Sequence, residues 1–136
     1  MSNKRPLIIM LDDDQTVLDC LTNQLRSRFQ SAFTYETTTS MTEAWEVIEE
    51  AVADQRPIHL IISDWNMPQQ NGDQFLIDVQ AKYPGIPQLM LSGYADEDSV
   101  ERARQGANLV DYIAKPWDED DIYRIVEGVE APFQPA

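Results

Sequence analysis

The sequence predicts an α/β fold, a five-stranded parallel sheet wound with helices on both faces. Three observations carry this. Runs of strand length alternate five times with stretches whose apolar residues recur at helical spacing. The links between them are short, so each crossover returns to a parallel neighbour. The run Leu7-Ile8-Ile9-Met10-Leu11 is apolar without interruption, as a strand covered on both faces requires.

The elements follow in order. Leu7–Leu11 is the first strand. Val17, Leu18, Leu21, Leu25 and Phe29 mark the first helix, with Asp14 as its cap. Phe33–Thr38 is aromatic and β-branched and reads as a less buried, outer strand. Ser40 with Glu43 is a capping-box start for a helix carrying Met41, Ala44, Trp45, Ile48 and Val52. Ile58–Ser63 is a second buried strand. Phe75, Leu76, Val79 and Tyr83 mark a helix that stops before Pro84-Gly85. Gln88–Ser92 is a strand, and Asp96 to Gln105 a short polar helix ended by Gly106. Val110–Ala114 is the last strand. Ile122, Tyr123, Ile125, Val126 and Val129 mark the last helix, whose first turn the acidic run Asp118-Glu119-Asp120-Asp121 caps and charges. Residues 1–130 read as one domain and 131–136, with two prolines, as a linker stub or tail.

Composition sets the boundaries of function. The chain has 136 residues, 43% of them apolar, enough for one domain with a core. No apolar run approaches the ~20 residues of a membrane span. No signal-peptide pattern follows the N-terminus. A single cysteine, Cys20, leaves no internal disulfide and no multi-thiolate zinc site. Ten Lys and Arg against 24 Asp and Glu give a net charge of −14. So acidic a surface repels nucleic acid and anionic membranes. The expectation is a cytoplasmic protein with no direct contact to nucleic acid or membrane.

Open α/β sheets bind ligands beyond the carboxyl ends of their strands. Asp12-Asp13-Asp14 follow the first strand, Asp64 the third, and Lys115-Pro116 the fifth, while the fourth ends at Ser92. Each has an ordinary explanation alone, such as a helix cap, a loop carboxylate or a turn former. Their joint placement at one sheet edge does not. Clustered carboxylates repel and call for a counter-charge, and oxygen ligands suit Mg²⁺. With the ion beside it, Asp64 can act as a nucleophile toward a phosphoryl group. Ser92 and Lys115 can hold the remaining phosphoryl oxygens. The set describes an aspartyl-phosphate site.

The stretches Leu11-Asp12-Asp13-Asp14, Ser63-Asp64-Trp65-Asn66-Met67-Pro68-Gln69-Gln70-Asn71-Gly72, Leu91-Ser92-Gly93-Tyr94 and Tyr112-Ile113-Ala114-Lys115-Pro116-Trp117 resemble the receiver domain of two-component response regulators. The resemblance spans residues 6–130. It implies a flavodoxin-like sheet of order 2-1-3-4-5 and a cis Lys115-Pro116 bond. It implies that Asp12 and Asp13 hold Mg²⁺ with Asp64 and the Asn66 backbone carbonyl, and that Asp64 takes a phosphoryl group from a sensor histidine kinase or phosphotransfer protein. Ser92 and Lys115 would bind that group. Tyr112 would swing inward as Ser92 is drawn toward it, altering the surface of the fourth helix, fifth strand and fifth helix. An output domain or partner, a second copy included, would read that surface. Asn66 and Tyr94 would tune the lifetime of the phosphoryl group. Trp117 and Gly93-Tyr94-Ala95-Asp96 resemble receivers fused to large output domains. The protein would be a phosphorelay signalling switch, catalysing only its own phosphotransfer and dephosphorylation.

A Mg²⁺-dependent phosphatase using Asp64 is the alternative. Such enzymes place an acid/base carboxylate two residues after the nucleophile, where Asn66 stands here. A constitutive interaction module with a vestigial site is disfavoured by the intact residue set. His59 reads as a structural histidine, Cys20 as a small packing residue, Trp45 as core and Trp65 as a flank of the site.

Overall fold

The structure, a computed structural model, describes residues 5–68, 71–93, 97–129 and 132–135. The expectations for Tyr94 and for a helix start at Asp96 lie outside the described residues. Strands β1 (Leu7–Leu11), β2 (Thr34–Thr38), β3 (Ile58–Ser63), β4 (Gln88–Ser92) and β5 (Leu109–Ala114) alternate with helices α1 (Gln15–Phe29), α2 (Met41–Ala53), α3 (Gly72–Lys82), α4 (Glu97–Gly106) and α5 (Glu119–Gly128). The strands form one parallel sheet of order β2-β1-β3-β4-β5, the doubly wound arrangement the sequence predicts.

Two-residue alternation along the strands divides the core. Leu7, Ile9, Leu11 and Ile61 face α2, α3 and α4 through Ala44, Ile48, Phe75, Leu76 and Ala103. Ile8, Met10, Leu60 and Ile62 face α1 and α5 through Leu18, Leu21, Leu25, Ile122 and Val126. β1 and β3 are therefore sealed on both sides. The outer strands are not: Glu36 on β2 and Asp111 on β5 are exposed, as is Val110.

Caps fall where the side chains direct. Asp14 accepts from the Thr16 N–H at 2.9 Å and opens α1. Ser40 accepts from the Glu43 N–H at 3.2 Å, while the Glu43 carboxylate accepts from the Thr39 N–H at 3.0 Å, a capping box reaching one residue further back. Asp118 opens α5 by accepting from the Asp120 N–H.

Four local readings change. Phe33 ends a short 3-10 turn before β2, and its ring lies 4.5 Å from His59. Cys20 is exposed and not a packing residue, because Leu18, Leu21 and Leu25 define the face of α1 that meets the sheet. Trp45 is half-buried at the rim of the core, its ring edge-on to Phe75 at 5.6 Å. Val129 lies just past α5. In the tail, Phe133 exchanges two backbone hydrogen bonds with Ile58 and packs its ring against Tyr83. His59 behaves as a structural histidine: it is buried, with Nε2 2.7 Å from the Val126 carbonyl.

Candidate functional site

The parallel register brings the strand ends to one edge of the sheet. Asp12 leaves β1 with its N–H donated to the Thr38 carbonyl at 3.1 Å, so the outer strand β2 contributes to the site through its backbone. Asp64 leaves β3 with its N–H on the Leu11 carbonyl at 2.9 Å. Lys115 leaves β5 with its N–H on the Ser92 carbonyl at 2.9 Å. The ends of β1 and β2, of β3 and β1, and of β5 and β4 are thus tied together, which positions the side chains that follow. The Lys115-Pro116 peptide is cis.

Asp12 and Asp64 are almost wholly buried, Ser92 is 1% exposed and Asp13 is exposed. One carboxylate oxygen from each of Asp12, Asp13 and Asp64 lies within 4.8 Å of the others. The Lys115 ammonium reaches across, 2.6 Å from Asp12 Oδ2 and 3.5 Å from Asp64 Oδ2. Asp12 Oδ1 accepts from the Asp14 N–H at 2.9 Å, and Asp64 Oδ1 from the Asn66 N–H at 3.3 Å. Asp64, Trp65, Asn66, Ser92, Gly93 and Lys115 line one open cleft. Tyr112 is not part of it. It is half-buried on β5 and lines a separate groove with Glu97, Asp98, Val100, Glu101 and Arg104 of α4.

Burial pushes the Asp12 carboxyl above its ordinary value, against the hydrogen bonds from Lys115 and the Asp14 N–H. Burial also opposes the charge on Lys115, yet its hydrogen bond to Asp12 and the nearby Asp64 carboxylate outweigh this and raise its pKa. Both shifts express one condition, an excess of negative charge shielded from water that holds protons and cations firmly. The three clustered carboxylates form an oxygen donor set fitted to a hard divalent cation such as Mg²⁺.

Gly72 has a role that residue types alone did not disclose. A Cβ placed there would lie 2.2 Å from the Asp64 carbonyl oxygen and 2.9 Å from the Trp65 Cα. The Gly72 N–H also donates to the Trp65 carbonyl at 2.6 Å. The first residue of α3 is thus pressed against the backbone that carries Asp64. The signal available in the sequence was a glycine heading a helix, where it contributes nothing to helix propensity.

Comparison with known proteins places the chain in a family and its fold among known ones. Residues 8–127 match the response regulator receiver domain. The hydrogenase transcriptional regulatory protein HoxA of Cupriavidus necator is 30% identical over 96% of this chain, and the DNA-binding transcriptional regulator NtrC of Escherichia coli 28% over 96%. The chain spans about a quarter of the length of both relatives, 26% of each. Among solved structures, a signal receiver domain of an HD domain-containing protein from Pseudomonas fluorescens superimposes with a TM-score of 0.81 at 22% identity, covering 95% of this chain and 89% of that one. The chemotaxis response regulator CheY4 of Vibrio cholerae gives 0.75 at 20% identity, covering 93% and 99%. No helix among the described residues is long and apolar enough to cross a membrane. The chain belongs to the response regulator receiver domain family, whose members are phosphorylation-dependent signalling switches.

Proposed function

We propose that Asp64 is the phosphoacceptor of this switch, with Asp12, Asp13, Asp64 and the Asn66 backbone carbonyl holding Mg²⁺ beside it. The observation that carries the reading is the crowding of the three carboxylates at the sheet edge, with the Lys115 ammonium against Asp12 and Asp64. The ion's contribution is to neutralise charge on the incoming phosphoryl group. Asp64 supplies the nucleophile: a carboxylate oxygen attacks phosphorus, a P–O bond forms, and the P–N bond of a phosphohistidine breaks with its electron pair left on the imidazole. Lys115 has only a short pivot to make from Asp12 to a phosphoryl oxygen, and Ser92 donates its hydroxyl to another.

Ser92 stands in register with Ala114, and Met90 with Tyr112. Movement of Ser92 toward the phosphoryl group therefore opens space near the β5 residue that borders α4. Tyr112 fills that space, and the surface of α4, β5 and α5 changes with it. The donor is a sensor histidine kinase or phosphotransfer protein. The reader is an output segment or a second copy of the domain. The relatives named as transcriptional regulators make transcription the favoured output. In this reading residues 1–130 are the phosphoacceptor unit, 131–136 a tail, and the protein works in the cytoplasm.

The test is incubation with Mg²⁺ and a small phosphodonor, read by intact mass. One phosphoryl adduct per chain is expected in the parent and none in Asp64→Asn. Full labelling of a folded Asp64→Asn variant refutes the assignment, and continuous turnover of donor would instead restore the phosphatase alternative.

A further inference from the structure

Asp73 follows the glycine that presses on the Asp64 backbone, and its side chain is fully buried. A carboxylate so placed needs a counter-charge. It has one: Arg102 of α4, with Nη1 2.8 Å from Asp73 Oδ2. The other guanidinium nitrogen, Nη2, is held by Gln74 Oε1 at 2.7 Å. Asp73 Oδ1 has no hydrogen-bond partner among the described residues. The Arg102 side chain is about half exposed, and both of its hydrogen bonds among the described residues run to α3, so the guanidinium ties α4 to α3.

We propose that the Asp73–Arg102 pair is a bolt that holds α4 in its unphosphorylated position, making Arg102 a positioning residue for the phosphorylation equilibrium. The inference rests on Asp64 being the phosphoacceptor. At one end of the bolt, Gly72 and Asp73 are fixed to the phosphoacceptor segment by the Gly72–Trp65 hydrogen bond and the close approach to Asp64. At the other end, α4 supplies one wall of the groove in which Tyr112 sits. The structure therefore shows the bolt closed while Tyr112 lies in that groove. Shifting α4 away from α3 strips a buried carboxylate of the counter-charge it has among the described residues, where Oδ1 has no partner to take over. The bolt opposes the shift, and the phosphoryl group must overcome it.

Removing one partner leaves a buried unpaired group, whereas replacing both by apolar side chains preserves packing. The test is therefore Asp73→Leu/Arg102→Leu, titrated with beryllofluoride and Mg²⁺ as a phosphoryl mimic and followed by the Tyr112 ring resonances. The double variant is expected to bind the mimic about fivefold or more tightly, in the range of ordinary coupling between sites, without a lower melting temperature. Arg102→Lys, which keeps the charge, is expected to return affinity toward the parent value. Equal or weaker affinity in a folded double variant overturns the bolt. A second measurement needs no variant: in the parent, the Arg102 side-chain NMR signals should change as Tyr112 responds to the mimic. Unchanged Arg102 signals beside a responding Tyr112 also overturn it. A parent that binds no beryllofluoride, or an Asp64→Asn variant that binds it equally, refutes the phosphoacceptor reading on which the bolt depends.

Discussion

Gly72→Ala sets two known effects against each other. Alanine is the better helix former by about 1 kcal/mol, so propensity alone predicts a stabler α3. The structure predicts the reverse. The new Cβ would lie 2.2 Å from the Asp64 carbonyl oxygen, and real Cβ contacts do not fall below 3.0 Å, so the backbones must part by at least 3.0 − 2.2 = 0.8 Å. Both sides of the clash are main chain, with no rotamer to turn away, and the Gly72–Trp65 hydrogen bond resists separation. Overpacking costs roughly 1–3 kcal/mol, and a backbone-on-backbone clash belongs at the upper end. Subtracting the helix gain leaves a net loss of about 2 kcal/mol, a fall of roughly 6 °C in melting temperature for a domain of this size. Displacing Asp64 by nearly an ångström should also slow phosphorylation, by up to ~100-fold. The assays are thermal unfolding and the rate of labelling by a small phosphodonor. Gly128→Ala is the control, since nothing lies within 4 Å of a Cβ there. A Gly72→Ala variant that melts at or above the parent temperature and labels at the parent rate would refute the reasoning.

Two further outcomes follow from the site and the core. Millimolar Mg²⁺ should raise the melting temperature of the parent by mass action, ~2.7 kcal/mol of stabilisation at a hundred times the dissociation constant, and Asp13→Ala should lose the rise. An equal rise in the variant, or in the parent with a monovalent salt of matched ionic strength, would mean the ion only screens the −14 net charge. Burial lowers the pKa of His59 from its ordinary 6.5, so below that pH the unfolded chain binds a proton the folded chain refuses. Stability is then full above pH 6.5 and is lost as pH falls through the folded-state value. Unfolding free energies from pH 8 to 5 should diverge between the parent and His59→Gln, which keeps a donor for the Val126 carbonyl and cannot charge. Parallel curves would dismiss the buried histidine as a pH-sensitive element.

The sheet was legible because β1 and β3 are sealed on both faces, and that condition writes an unbroken apolar run into the sequence. The acidic residues of the site were legible for a related reason. Charged groups beside buried strands have no place in a core, so Asp12, Asp64 and Lys115 stood out by position. What stayed hidden depends on contacts remote in sequence. Nothing local to Phe133 says that it will pair with Ile58. Cys20 follows the register of α1, which residue type does not encode. The close approach of Gly72 to Asp64 and the burial of Asp73 under Arg102 emerge only when α3 is laid against β3 and α4. Periodicity reports which face of a helix is apolar and not which single atom it crowds.

The sheet order also bears on how the chain behaves in company. With β1, β3 and β4 paired on both sides, only β2 and β5 present open backbone edges. Such edges can recruit strands from other chains into growing aggregates. β2 carries Glu36 and β5 carries Asp111, both exposed. A strand approaching β5, in a protein where acidic residues outnumber basic ones 24 to 10, meets charge of its own sign, whereas the charge on β2 is mixed, with Arg56 on Thr34 and Arg26 over the Tyr35 ring. The β5 edge is thus guarded against fusing with the same edge of a second copy by the exposed carboxylate of Asp111.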